Sequence, residues 1–205
     1  MLFSELKETL KYTSLYDLGV KDNDKAIAVY VNNGLKDIQS RFSLNPKFTN
    51  IILDSNLISL PDKLIRIIDC VYTDTKDPVR FYQDTKIADD HYFKLIHTGS
   101  NKILLNGTIP NWSIDLLYEE RVPQIDLSLE DMGNEIIDIP DTFINALILY
   151  VGFISHASMD SNIKSENNTY YMRYTAECKR LEETYRLLES NSLDTEYKHP
   201  IIGIN

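Results

Sequence analysis

The pattern of apolar and polar positions predicts two helices at the start of the chain. A short helix is expected from Phe3 to Tyr12. A longer one shows apolar residues three or four positions apart, the spacing of one buried helix face, at Ile27, Val31, Leu35, Ile38 and Phe42. Asp22 or Asn23 can cap this helix by accepting hydrogen bonds from its first turn, and Asn45-Pro46 ends it. Gly34 weakens the helix by about 1 kcal/mol relative to alanine, which indicates a close approach of another helix.

The middle of the chain carries the patterns of short β-strands. β-Branched residues and partial alternation predict strands at residues 56–60, 64–72, 79–82 and 112–118. Asn106-Gly107 lies between the apolar runs 102–105 and 108–110, and this dipeptide in such a setting is a strong signal of a hairpin. Residues 84–100 are expected to form a polar connection, and residues 121–135 an acidic, turn-rich segment.

Two long helices are predicted in the last third of the chain. The first begins at Ile139-Pro140-Asp141, because proline fits a first helical turn and the aspartate places a negative charge at the positive end of the helix dipole. It continues to Ser158 with apolar residues almost all round, which predicts burial on most of its faces. The second, residues 166–188, is amphipathic. Because the connection is short, the two helices are expected to be antiparallel neighbours.

These elements predict an α+β fold: an N-terminal helix, a small antiparallel β-module and a C-terminal antiparallel two-helix hairpin with an extended tail. The expected organisation is a single domain at residues 1–190, followed by an arm at residues 191–205. Within the domain, residues 1–45 and 136–190 are expected to be helical, and residues 51–135 to form the β-module. The arm ends in Pro200-Ile201-Ile202-Gly203-Ile204, which is unusually apolar for a disordered terminus. We interpret it as a packing arm, and a disordered terminus is the alternative.

The charge of the chain limits its partners. A formal net charge of −10 opposes tight binding to nucleic-acid phosphates, which needs clustered lysine and arginine. The charge fits solubility, and it also fits a surface past which DNA slides without sticking. The longest apolar run, residues 143–157, is shorter than the roughly 20 residues that cross a bilayer, so no membrane partner is expected.

Few residues form a pattern that indicates chemistry. The four histidines include no pair at helical metal-binding spacing, and no Cys-x-x-Cys occurs, so neither a metal nor a cofactor is expected. The N-terminal residues lack a signal-peptide pattern, and Cys70 and Cys178 are therefore expected to be reduced thiols. No nucleophile elbow, phosphate-binding loop or dinucleotide fingerprint is present. A protein without catalysis is favoured, and the alternative is a small intracellular enzyme that uses Asp89, Asp90 or His91.

An ordered set of features spans residues 22–190. An amphipathic helix precedes Ile58–Ile68, an apolar-x-Leu-Pro-x-x-apolar pattern that leads into a strand. A strand with Trp112 and Tyr118 follows, and Ile139-Pro140-Asp141-Thr142-Phe143 then opens the first of the two long helices. This order resembles the tail-adaptor, or head-to-tail connector, proteins of short-tailed bacteriophages.

Two features depart from the pattern of that family. Its first C-terminal helix is usually alanine-rich, whereas here the helix carries isoleucine and leucine. The β-region at residues 71–135 is also long, which leaves its loops available for another contact. Ile, Asn, Asp and Lys are plentiful and only seven glycines occur, a composition that suits a crAss-like phage of gut bacteria, where such proteins are called ring proteins.

The resemblance implies a structural protein of the virion neck, assembled in the host cytoplasm and without catalysis. It implies a ring of twelve copies that stacks beneath the portal protein, extends the DNA ejection channel and docks further tail or ring proteins. DNA is expected to pass through without specific binding. A different neck component, such as a stopper or a terminator, is the alternative.

The two C-terminal helices carry more apolar surface than one subunit is expected to cover. Tyrosine is enriched at protein interfaces, although a tyrosine stripe equally suits a core. The predicted contacts with other subunits or the portal lie on both helices and in the tail, at Phe143, Leu147, Tyr150, Ile154, Tyr170, Tyr174, Pro200, Ile201, Ile202 and Ile204.

Overall fold

Helices lie towards both ends of the chain and strands between them, in a computed structural model that describes residues 1–13, 15, 19–82, 93–97, 102–107, 112–159 and 169–192. The helices are α1 (Phe3–Tyr12), α2 (Asp24–Arg41), α3 (Ile144–Met159) and α4 (Thr169–Ser192). The strands are β1 (Pro46–Ile52), β2 (Leu57–Ser59), β3 (Leu64–Tyr72), β4 (Phe81–Tyr82), β5 (Phe93–His97), β6 (Lys102–Gly107) and β7 (Ser113–Glu120). The α+β class predicted from the sequence is confirmed.

The described chain forms two compact units. The helical unit contains Met1–Leu44 and residues 122–192, and the β unit contains Asn45–Arg121. Residues 122–135, which the sequence pattern grouped with the β-module, lie in the helical unit. The single domain with a C-terminal arm stays a prediction, since residues 193–205 are outside the described region of the chain.

The core of the helical unit contains the predicted apolar face of α2. Ile27, Val31, Leu35 and Ile38 are fully buried. They belong to one cluster with buried residues of the other helices, among them Phe3, Leu6, Leu10, Leu147, Val151, Cys178 and Leu181. Asn23 is the cap, because its Oδ1 accepts a hydrogen bond from the N–H of Ala26 at 3.0 Å. Burial of each large apolar side chain contributes about 1.5–3 kcal/mol, so this cluster stabilises the unit strongly.

Gly34 lies at a close contact between α2 and α3. A Cβ added to Gly34 would lie 2.7 Å from Cδ1 of Leu147 and 2.9 Å from Cδ1 of Tyr150. Both distances are shorter than real Cβ contacts, so any larger residue at position 34 would displace the side chains of Leu147 and Tyr150. The predicted close helix contact is confirmed.

The start of α3 differs in detail from the prediction. Pro140 is extended (φ −57°, ψ 141°) and precedes a single 3₁₀ turn at Asp141–Phe143, so the α-helix begins only at Ile144. Leu147 and Val151 are fully buried, whereas other apolar positions around the helix are half-buried. The expectation of burial on most faces therefore holds only partly. α2 and α4 pack against α3 and bury the faces that they contact.

The β unit contains two sheets whose buried residues form one apolar cluster. The three-stranded sheet has the order β1-β7-β3 and is antiparallel. The four-stranded sheet has the order β2-β6-β5-β4, in which the short β4–β5 pair is parallel and the other pairs are antiparallel. The predicted antiparallel module is confirmed apart from that one pair.

Three details of the β unit were predicted wrongly. The strand β1 was not predicted, and β5 lies inside the expected polar connection. Asn106 and Gly107 are the last residues of β6, where they pair with Lys94 and Phe93 of β5. The chain therefore does not turn at Asn106-Gly107, because the pairing with β5 outweighs the local turn preference. Residues 108–111 are outside the described chain.

Candidate assembly surfaces

Three of the predicted interface residues lie in the core of the helical unit. Phe143, Leu147 and Tyr174 are at most 1% exposed. The ring of Phe143 lies 5.1 Å from the ring of Phe42 and 5.6 Å from that of Tyr185. Their burial is provided by the chain's own helices, so these residues stabilise the hairpin from inside.

The other described members of the predicted set lie at the half-buried rim of the α3–α4 hairpin. The ring of Tyr150 meets that of Tyr174 edge-on at 5.3 Å. Tyr170 stacks on His156 at 4.8 Å, and Ile154 is half-buried one turn before the end of α3. The predicted contacts of these residues with other subunits stay a prediction. Four further members of the set, Pro200, Ile201, Ile202 and Ile204, lie outside the described residues.

A charged cluster joins α2 to α4. The hydroxyl of Tyr174 donates to Oδ2 of Asp37, and Nε of Arg41 donates to the same oxygen at 3.0 Å. The Arg41 guanidinium also lies 5.6 Å from the centre of the Tyr174 ring, a cation–π distance. Burial, followed by the hydrogen bond to Asp37, raises the pKa of Tyr174 far above its ordinary value. The tyrosine therefore acts as a permanently neutral donor that fixes α4 on α2.

The cysteines are unsuited to nucleophilic chemistry. Both are free thiols, as predicted, and both are buried. Burial is the main cause that raises the pKa of Cys178, and it raises the pKa of Cys70 to about 12. Because the thiolate is the nucleophile, both groups stay unreactive at neutral pH.

The start of the acidic segment at residues 121–135 is held by two buried amide side chains that were not predicted from the sequence. Asn32 donates from Nδ2 to the carbonyl of Ile125 and accepts at Oδ1 from its N–H, both at 2.9 Å. Gln39 accepts from the N–H of Val122 at 3.0 Å. Asn32 and Gln39 are seven positions apart on the apolar side of α2. Amide side chains on a buried helix face indicate hydrogen bonds to another segment, and this signal was present in the sequence.

The outer face of the three-stranded sheet exposes large apolar side chains. Phe48 and Ile52 of β1 are 66% and 58% exposed. Side chains alternate between the faces of a strand, so Phe48 and Ile52 share one face with Asn50 between them. This surface was not predicted because β1 was not predicted, although residues 48–52 are β-branched or aromatic at four of five positions.

A polar network separates the two apolar side chains of β1. Asp115 of β7 accepts hydrogen bonds from Nδ2 of Asn50 at 2.8 Å, from Oγ1 of Thr73 at 3.0 Å and from Nζ of Lys76 at 2.8 Å. The hydrogen bond from Lys76 is the largest cause that lowers the pKa of Asp115. Lys76 has a φ of 60°, an unusual value for a residue with a side chain. The network therefore fixes the turn after β3 on this face.

The described residues show no arrangement for metal chemistry. No group of three or more His, Cys, Asp or Glu side chains in this portion of the chain is placed to hold a metal ion. None of the helices described is long and apolar enough to cross a membrane. Asp89, Asp90 and His91, the residues of the alternative enzyme hypothesis, lie outside the described chain, and that hypothesis stays open.

Comparison with known proteins identifies the family. The family model described as SU10 adaptor protein matches residues 1–194, nearly the whole chain. No curated protein matches the chain. The chain belongs to the SU10 adaptor protein family, which is a family of structural phage adaptor proteins, and the predicted adaptor class is confirmed.

Proposed function

We propose that this phage adaptor forms a closed ring beneath the portal, connects the capsid to the tail and extends the DNA channel. The observation that carries the proposal is the outer face of the three-stranded sheet. Phe48 and Ile52 are exposed there on a regular strand, beside a polar network whose hydrogen bonds are already satisfied within the chain. The hydrogen bonds of the network fix the conformation of this face, and its large apolar side chains remain exposed to solvent. An exposed apolar surface of this kind suits contact with another protein.

A ring requires two different surfaces on each copy. When one surface contacts a different surface of the next copy and the rotation closes, the product is a ring. We propose the sheet face and the half-buried rim of the α3–α4 hairpin as the surfaces available for neighbouring copies, the portal and further tail proteins. Twelve copies, and a place in a short-tailed virion, are what the resemblance to connector proteins implies.

The proposed channel does not hold DNA. The net charge of −10 opposes phosphate binding, so DNA would pass without adhering. Assembly would occur in the host cytoplasm, and the ring would reside in the virion neck, with no membrane partner and no cofactor.

Electron microscopy of the purified chain mixed with its portal tests this proposal. We expect a ring of twelve copies attached coaxially to the portal, with the same copy number by native mass spectrometry. Failure of the mixture to form any ring would contradict the proposal. A ring that is found away from the portal in the virion would instead indicate a stopper or terminator.

A further inference from the structure

The two edges of the three-stranded sheet are not alike. Beyond β3 the chain folds back on the strand: the N–H of Tyr72 donates to the carbonyl of Asp77, and the N–H of Val79 to that of Cys70, both at 2.9 Å. The pairing of β3 with β7 also shifts register twice. Bulges and covering turns protect an edge from further strand pairing. The β3 edge is therefore irregular, and it is covered at its C-terminal end, residues 70–72.

The β1 edge is open. β1 pairs with β7 through all seven of its residues without a register shift, and no strand of the described chain lies on its other side. Two hydrogen bonds show which residues of β1 bond to β7. The N–H of Leu53 donates to the carbonyl of Trp112 at 2.7 Å, and the N–H of Glu120 donates to the carbonyl of Asn45 at 3.0 Å. Both continue the β1–β7 register, so the odd-numbered residues of β1 bond to β7.

The even-numbered residues of β1 consequently direct their backbone groups to the open edge. In an antiparallel pair, residues that do not bond to the partner strand point their N–H and C=O the other way. Phe48, Asn50 and Ile52 thus present three N–H groups and three C=O groups there. The same residues carry the exposed side chains of the outer face. Donors, acceptors and apolar surface are all available to one added strand.

The end of the sequence has the chemistry of such a strand. Thirteen residues follow Ser192, the last residue of α4, and in extended form they span about 40 Å. Pro200 and the next five residues carry no ionisable side chain, and three of them are isoleucine. The stretch from Phe48 to Ile52 is likewise uncharged. In a chain with net charge −10, these two neutral segments approach without repulsion between charged side chains.

We propose that residues 200–205 of one copy add as a strand to the β1 edge of the neighbouring copy. The inference rests on the proposed function, because it requires copies side by side. An arm and an edge are different surfaces, as a closing ring contact needs. Ile202 and Ile204 would share a face and cover Phe48 and Ile52, since side chains alternate along the added strand. Pro200 stands at the first position, where a missing N–H is tolerated.

Cysteine cross-linking tests the contact in the full-length chain. Ile52→Cys combined with Ile202→Cys, treated with a short bismaleimide, is expected to give covalent dimers and longer ladders. Each single variant should stay monomeric on a denaturing gel, and the native cysteines are buried. The matched control pairs Ile202→Cys with Tyr12→Cys, an exposed position on α1, and should not cross-link.

Other cross-linking patterns would overturn the inference. A monomer with both thiols consumed would place the arm on its own chain. Dimers of Ile52→Cys alone would indicate pairing between two β1 strands. Native mass spectrometry of the same samples separates this test from the proposed function. Rings that lack the Ile52–Ile202 cross-link contradict only the inference, and cross-links in an open assembly contradict only the ring.

A pair of proline variants provides a second test. Phe48→Pro removes an N–H that points to the open edge, whereas Thr49→Pro removes one that bonds to β7. We expect Phe48→Pro to stay folded and to lose assembly, and Thr49→Pro to lose the fold of the β unit. Assembly of Phe48→Pro at the level of the unchanged chain would overturn the inference.

Discussion

The core of the helical unit and the outer face of β1 differ in how far the chain itself covers their large apolar side chains. In the helical unit, Phe3, Leu35, Phe143 and Leu147 are almost completely buried by the chain itself. In the β unit, Phe48 and Ile52 are more than half exposed on a regular strand. These buried residues stabilise the helical unit itself. The outer face of β1 leaves apolar surface that the rest of the described chain does not cover, and contact with another protein would bury it.

The largest effect is expected from a cavity in the helical core. Leu147→Ala should lower the free energy of unfolding by about 2–5 kcal/mol, because Leu147 is fully buried against Gly34. Chemical denaturation of the purified chain measures this loss. Ile136→Ala, at a 66% exposed position, is the control and should change stability by less than about 0.5 kcal/mol. Equal effects would mean that the comparison between buried and exposed residues fails.

A buried amide should have the next largest effect. Asn32→Ala leaves the N–H and C=O of Ile125 without the partner they now have, which costs about 1–3 kcal/mol. Asn33→Ala, at the adjacent exposed position, should be nearly neutral. Amide hydrogen exchange is the sharper measurement, since Asn32→Ala should speed exchange at Ile125. Unchanged exchange there would show that other contacts fix the acidic segment.

The Tyr174 cluster predicts a dependence on alkaline pH. The pKa of Tyr174 is raised in the folded chain, so the folded state keeps a proton that the unfolded state loses above about pH 10. Stability from this group is complete below that pH and declines as the pH rises further. Tyr174→Phe should make the decline of the free energy of unfolding less steep. Urea denaturation between pH 9 and pH 11 measures this slope, to which a difference of one bound proton contributes about 1.4 kcal/mol per pH unit. An identical slope in both chains would contradict the neutral-donor role.

The helices of the helical unit could be predicted from the sequence because their signals are local. The spacing of Ile27, Val31 and Leu35, and the glycine at position 34, each report a contact within or between helices. The β unit depends on pairing between distant residues. Asn106-Gly107 carries a local turn signal that the pairing with Phe93 and Lys94 overrides. Strand pairing of this kind leaves little trace in a single sequence.

The same contrast explains the candidate surfaces. Apolar content alone could not separate Phe143 and Tyr174, which are buried, from Tyr150 and Ile154 at the rim. The exposed fraction of each side chain depends on the residues that the fold places beside it, and the apolar pattern of a helix does not identify those residues. The exposed face of β1 was missed for a related reason, because the strand itself was not predicted.

The smallest effect on stability is expected at Phe48, which lies on the exposed outer face of β1. Phe48→Ala should change the free energy of unfolding of the isolated chain by less than about 0.5 kcal/mol, because the side chain is 66% exposed. Assembly should weaken all the same, since the truncated side chain no longer buries apolar area against a neighbour. Sedimentation velocity across a concentration series measures this. Lower stability with unchanged assembly would contradict this prediction. It would mean that the Phe48 side chain stabilises the single chain and does not contact a neighbouring copy.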